Sequence, residues 1–205
     1  MHYISSMCHS ILKKLPLWGL GGFMFLAGCS DSFTYTRYPC YLVIDNSTHQ
    51  DPTLASAMNG MSPGVFCTIV DNESAKKFEF KTNYGLSSAV RFDQKDEYRT
   101  RALGMNNALI VGYGTMSGTF CAFDRECPEC FDPNAIPVRP KPLSVGSDGT
   151  VTCRTCHRRW DLNNGGFYIG TTSNATTEAN AGSVKTLTRY KAGTTGPYGI
   201  LSVGN

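Results

Sequence analysis

A chain of 205 residues with 41% hydrophobic and 17% charged residues has the composition of a globular protein, and it supports one body of ordinary size rather than a disordered or fibrous chain. The formal charge of +3 falls to +1 once the leader described below is removed, since Lys13 and Lys14 leave with it and no acid does; nothing then points to a nucleic-acid partner. Twenty-one glycines, with many Thr and Asn, favour strands and turns.

Residues 1–28 have the layout of a secretory leader: two lysines, no acid, then an apolar run over 15–28 that is short for a membrane span. The run ends in Leu26-Ala27-Gly28-Cys29, which resembles the cleavage box of bacterial lipoproteins. That resemblance implies acylation of Cys29, a lipid anchor in the membrane, and a place in the bacterial cell envelope facing the periplasm or the cell surface. A retained signal-anchor helix is the alternative. Residues 29–38 read as a tether, and 39–205 as a single domain.

Within that domain residues 41–45 form a short strand. Asp51 is a good N-cap and Pro52 suits the first helical position, so a short helix is expected from Thr53 to Met61, stopped by Gly60 and Pro63. Three runs of β-formers follow at 65–70, 78–81 and 88–92, split by Asn, Gly and Asp turns. Residues 109–113 and 119–123 suggest a hairpin across 114–118. Further strands are expected at 150–152, 166–169, 187–190 and 200–203, with a polar loop at 171–182. There is no internal repeat, and the first 90 residues add strands and a helix to the same body.

The centre of the chain is the stretch 121–166. It holds two Cys-x-x-Cys pairs, Cys127/Cys130 and Cys153/Cys156, with 22 residues between them. Each such turn points two sulfurs at one centre, and two turns at this spacing complete a tetrathiolate cage. Pro128 stiffens the first turn, and Ser147-Asp148-Gly149 supplies a hairpin turn before the second. Two other readings compete. Disulfides suit an oxidising envelope, but Cys-x-x-Cys closes a very small ring. Cys153-Arg154-Thr155-Cys156-His157 also matches the attachment motif for c-type haem, though haem leaves Cys127 and Cys130 unexplained.

Around these cysteines the chain resembles the Rieske domain family. Asp124-Arg125-Glu126-Cys127-Pro128 is similar to the first cluster-binding loop of that family. Cys153, Cys156 and Trp160-Asp161-Leu162, followed by Asn163-Asn164-Gly165-Gly166, are similar to the second. Leu187-Thr188-Arg189-Tyr190 resembles the closing strand. The resemblance spans roughly residues 103–203. It implies a mainly β fold, a Rieske-like β-sandwich of antiparallel sheets with a pair of metal-binding loops, here with extra N-terminal strands and a short helix. The departures are as specific. The second His ligand position of the family is Cys156, and Glu129 stands at the first, with Cys130 one residue later. Two His ligands are what raise a Rieske potential, so the redox role does not carry over with the fold.

The ligand set read from the sequence is therefore Cys127, Cys130, Cys153 and Cys156. Four thiolates suit zinc and a [2Fe–2S] cluster alike. The leader lacks a twin arginine, which favours export of an unfolded chain and so zinc. A closed four-Cys zinc shell leaves no open position and is structural. His157, Arg158 and Arg159 place cationic donors beside a site of formal charge −2, or form a solvated basic turn; Trp160 reads as a core anchor beneath the loops. Cys40, Cys67 and Cys121 are left, and three cysteines make at most one disulfide; Cys67 and Cys121 lie in apolar runs and read as small core residues. No catalytic constellation stands out. Two functions follow as expectations: a non-enzymatic lipoprotein, structural or binding a protein partner in the envelope, with zinc stapling its loops; or electron transfer through [2Fe–2S] for an oxidoreductase.

Overall fold

The computed structural model describes residue 36, residues 38–172 and residues 184–205. The leader, Cys29, most of the tether and most of the polar loop over 171–182 lie outside the described residues.

The domain is mainly β, built from two antiparallel sheets. The larger has nine strands: β1 (Cys40–Asp45), β2 (Phe66–Asn72), β3 (Lys77–Thr82), β4 (Ser87–Arg91), β5 (Ala102–Leu103), β6 (Ala108–Tyr113), β7 (Phe120–Asp124), β12 (Arg189–Thr194) and β13 (Ile200–Gly204), in the order β4-β3-β2-β6-β7-β12-β13-β1-β5. The smaller has four: β8 (Leu143–Val145), β9 (Thr150–Cys153), β10 (Arg158–Asp161) and β11 (Phe167–Thr171), in the order β11-β10-β9-β8. Among the described residues there are three short α-helices, α1 (Asn46–His49), α2 (Pro52–Ala57) and α3 (Gln94–Tyr98).

The nine-stranded sheet curls back on itself. His49, just past β1, meets Phe78 of β3 edge-on with ring centroids 6.4 Å apart. In a flat sheet the six strand steps between β1 and β3 would separate them by about 29 Å. The curl encloses a first core in which Leu42 and Ile44, Cys67 and Ile69, Phe78 and Phe80, Leu109 and Val111 and Leu201 alternate inward along their strands, with Leu54, Ala57 and Met58 closing it at α2.

The alternate residues of β2, β6 and β7 point to the opposite face. Phe66, Ile110, Cys121 and Phe123 meet Leu143, Val151, Trp160 and Leu162 of the smaller sheet in a second core. Strand β6 is thus buried on both faces, which is why its sequence reads as an unbroken apolar run rather than an alternating one.

Asp51 caps α2 as expected, its side chain accepting from the Leu54 N–H at 2.8 Å, with Pro52 in the first turn. The helix does not reach Met61. It ends at Ala57, because the Asn59 side chain accepts from the Met61 N–H at 3.0 Å and bends the chain before Gly60 can. The closing strand starts at Arg189 rather than Leu187 and runs on to Thr194. Strands β5, β8 and β10 and helices α1 and α3 were not expected from the sequence.

Candidate metal centre

Each cysteine pair sits where a strand ends in a tight turn. After β7 the chain passes through Arg125 and Glu126 into Cys127-Pro128-Glu129-Cys130, and the Cys127 carbonyl accepts from the N–H groups of Cys130 (3.3 Å) and Phe131 (3.0 Å). The loop that follows returns alongside: Cys127 N–H donates to Lys141 O at 2.9 Å and Leu143 N–H to Arg125 O at 2.8 Å, which delivers the chain into β8. The β8–β9 hairpin turns at Gly149, φ +78°, where a Cβ would drive into the Asn163 side-chain amide. Strand β9 ends on Cys153. The second turn closes as His157 N–H donates to Cys153 O at 2.9 Å, with His157 itself at φ +59°, and β10 begins at once.

The two turns face each other. Cys127 Sγ lies 3.8 Å from Cys156 Sγ, Cys130 Sγ lies 3.9 Å from Cys153 Sγ, and all four sulfurs lie within 4.8 Å of one another. Cys127 and Cys153 are buried on the second core, whereas Cys130 and Cys156 are half-buried on its rim. None of the seven described cysteines is in a disulfide. The four cysteines could hold one metal ion.

Without an ion the sulfurs are not equivalent. Burial pushes the Cys130 thiol up to about 12 and the Cys127 thiol further up still, and their cysteine neighbours add to the cost of charge. Burial acts against the Cys153 thiolate too, but N–H groups of Cys156 and Thr155 point at its sulfur, the latter at 3.4 Å, and hold the thiol below its ordinary range. A metal that takes all four must release protons.

The surroundings brace both turns. Glu129 does not face the sulfurs as a ligand would. Its carboxylate accepts from the Lys185 N–H at 2.9 Å and from Arg158 Nη1 at 3.3 Å, tying the first turn to β10 and to the segment entering β12. Lys185 Nζ also donates to Pro128 O at 3.3 Å. Trp160 is fully buried, its indole N–H donating to Lys185 O at 2.9 Å, so it carries the loops from below. Arg159 lies beside Asp148 at 3.8 Å, away from the cage, and His157 is exposed.

Three braces went unassigned in the sequence. Buried Glu126 accepts from the Lys141 N–H and from Asn106 Nδ2, fastening both ends of the long loop. Asp124 accepts from the Glu126 and Met105 N–H groups and from the Tyr190 hydroxyl, each at 2.8 Å; burial nevertheless pushes its carboxyl up to about 6. Tyr190 closes the set from β12. The motifs Asp124-Arg125-Glu126-Cys127 and Leu187-Thr188-Arg189-Tyr190 contain these residues, but nothing in their spacing announces the contact.

His49, Asp93 and Asp96 also cluster, but their atoms are occupied. Asp93 and Asp96 form the capping box of α3, and Asp96 Oδ2 takes His49 Nε2 at 2.9 Å. Cys40, Cys67 and Cys121 are buried thiols distant from one another's roles: the first two belong to the first core and Cys121 to the second.

No protein-family model, curated protein or solved structure matches this chain. Among the described residues no helix is long and apolar enough to cross a membrane.

Proposed function

We propose that the protein is a lipid-anchored lipoprotein of the bacterial cell envelope whose β domain carries one structural zinc ion on Cys127, Cys130, Cys153 and Cys156. The observation that carries the metal assignment is the length of the contacts between pairs, 3.8 and 3.9 Å. A tetrahedron with metal–sulfur bonds of about 2.3 Å has edges of about 3.8 Å. A two-iron cluster divides the four sulfurs between two irons and holds those on different irons further apart than a cage within 4.8 Å allows. Haem would take Cys153 and Cys156 alone, whereas here both approach the other pair.

A shell of four thiolates is closed, so the ion's role is to fix the two turns, and with them the smaller sheet, onto the second core. Cys29 and the lysine-bearing leader support the anchor; the cage itself supports a non-enzymatic protein that presents a stiff surface to a partner in the envelope. The Rieske resemblance enters as ancestry of the loop pair, with its redox ligands replaced.

Elemental analysis and visible absorption of the domain expressed without its leader test this reading. One zinc per chain in a colourless protein is expected. Two irons with visible absorption and an EPR signal on reduction would replace it with the electron-transfer reading.

A further inference from the structure

The smaller sheet covers the outer face of the nine-stranded sheet only in part. Over β6 and β7 the cover is complete, since Ile110, Cys121 and Phe123 are buried beneath it. It stops at β8, its edge strand. Beyond that edge the outer face of β2, β3 and β4 floors a cleft of about 650 Å³, within the range of about 300–1,000 Å³ usual for small-molecule sites.

Strand periodicity decides what lines the floor. Phe78 and Phe80 turn inward to the first core, so Lys77, Glu79 and Lys81 turn outward, and the register sets Thr68 and Ser87 on either side of Lys81. The facing wall is Ser144 of β8, with Arg125 from the approach to the first cysteine turn and Arg154 from within the second.

The charges in this cleft do not balance. Lys77 is matched by Glu79 at 2.9 Å. Among the described residues no carboxylate stands within ion-pair distance of Lys81, Arg125 or Arg154. Arg154 Nε donates instead to Ser144 Oγ at 3.2 Å. Three cations without a carboxylate partner and the hydroxyls of Thr68, Ser87 and Ser144 therefore line one concavity whose single acid is already matched by Lys77. A cleft lined by one sign of charge concentrates ligands of the other.

We propose that this cleft binds a small molecule bearing oxyanion groups, clamped between Lys81 on the floor and Arg125 and Arg154 on the wall. Guanidinium groups suit carboxylate, sulfate and phosphate by paired N–H donation, and the hydroxyls supply the remaining hydrogen bonds. The wall depends on the cysteine turns, because Arg125 stands two residues before Cys127 and Arg154 directly after Cys153. The floor does not, because Lys81 belongs to β3.

Titration calorimetry of the metal-loaded domain at low ionic strength, with sulfate, phosphate and citrate as probes, tests the proposal. At least one probe should bind one to one, more weakly as salt is raised. Lys81→Gln and Arg125→Gln should each weaken that binding by about tenfold or more. Their circular dichroism and metal content serve as folding controls, and Lys81→Gln alone decides if Arg125→Gln disturbs the cage. Failure of all three probes to bind, or affinity unchanged in Lys81→Gln, overturns the proposal.

Discussion

The buried hydroxyl of Tyr190 donates to Asp124 Oδ2 at 2.8 Å, joining the strand that closes the domain to the strand that opens onto the first cysteine turn. Asp124 keeps two backbone donors, from Met105 and Glu126, if the hydroxyl is lost. Tyr190→Phe should therefore cost about 2 kcal/mol, the usual loss of a hydrogen bond to a charged group, without unfolding the chain. A shift of the urea midpoint at unchanged slope checks it; an unaltered midpoint would show that the pair is dispensable.

Gly104 makes that pair possible. It sits at φ +65°, and a Cβ there would overlap both Asp124 Oδ2 and the Tyr190 hydroxyl. Gly104→Ala combines backbone strain with that overlap and should cost more than Tyr190→Phe, about 3 kcal/mol or above. Thermal denaturation of the two variants side by side gives the ranking.

The hydrogen bond to Asp96 holds the His49 imidazole above its ordinary pKa, with Asp93 and Asp45 adding to the attraction. A folded-state pKa above the unfolded value of 6.5 means that His49 contributes its stability fully below that pH and loses it as pH rises through the folded value. The stability advantage of the native chain over His49→Gln should be larger at about pH 6 than at about pH 9. Equal advantages at the two pH values would remove the pair from the account of stability.

Burial pushes the thiols of Cys40 and Cys67 up to about 12, so neither should be alkylated in the folded protein at mildly alkaline pH. Cys127, Cys130, Cys153 and Cys156 should be protected by metal instead, and removal of the metal by a chelator should expose Cys153 first, since its thiol lies below its ordinary range without an ion. Mass spectrometry of alkylated peptides, before and after chelation, separates the two groups. Modification of Cys130 or Cys156 in the metal-loaded protein would contradict the shared cage.

The proposed anchor makes its own demand. Cys29→Ala should leave the protein uncleaved or in the aqueous phase on detergent partitioning, and partitioning unchanged from the native chain would end the lipoprotein reading.

What could be read from the sequence depended on whether the information was local. The Cys-x-x-Cys spacing put two sulfurs on each turn, and the β-formers over 109–113 announced a strand, though not that it is covered on both faces. Strand β10 was missed because Arg158-Arg159-Trp160-Asp161 buries only its tryptophan fully, and β8 because three residues after a proline-rich loop carry too short a pattern. The braces were illegible for a different reason. Glu129 meets Lys185 and Asp124 meets Tyr190 across 56 and 66 positions, and no periodicity links residues so far apart. The alternation that turns Lys81 away from the core was available from the strand pattern, but the edge of β8 that leaves it uncovered was not.

Strand β1 is held between β13 and β5, with Asp45 opposite Ile200 and Tyr41 opposite Gly204. The first described strand to emerge during synthesis must therefore wait for the last before it has its main partner. The curled sheet cannot close from one end like a zipper, and a chain interrupted before β13 leaves β1 with only the two pairings to β5. Assembly is consequently an event of the whole domain, dominated by contacts distant in sequence and slow for its size. The cysteine cage lies between turns close in sequence, so the metal ion proposed for it would bind before that closure and hold the smaller sheet as a ready-made half while the outer strands find each other.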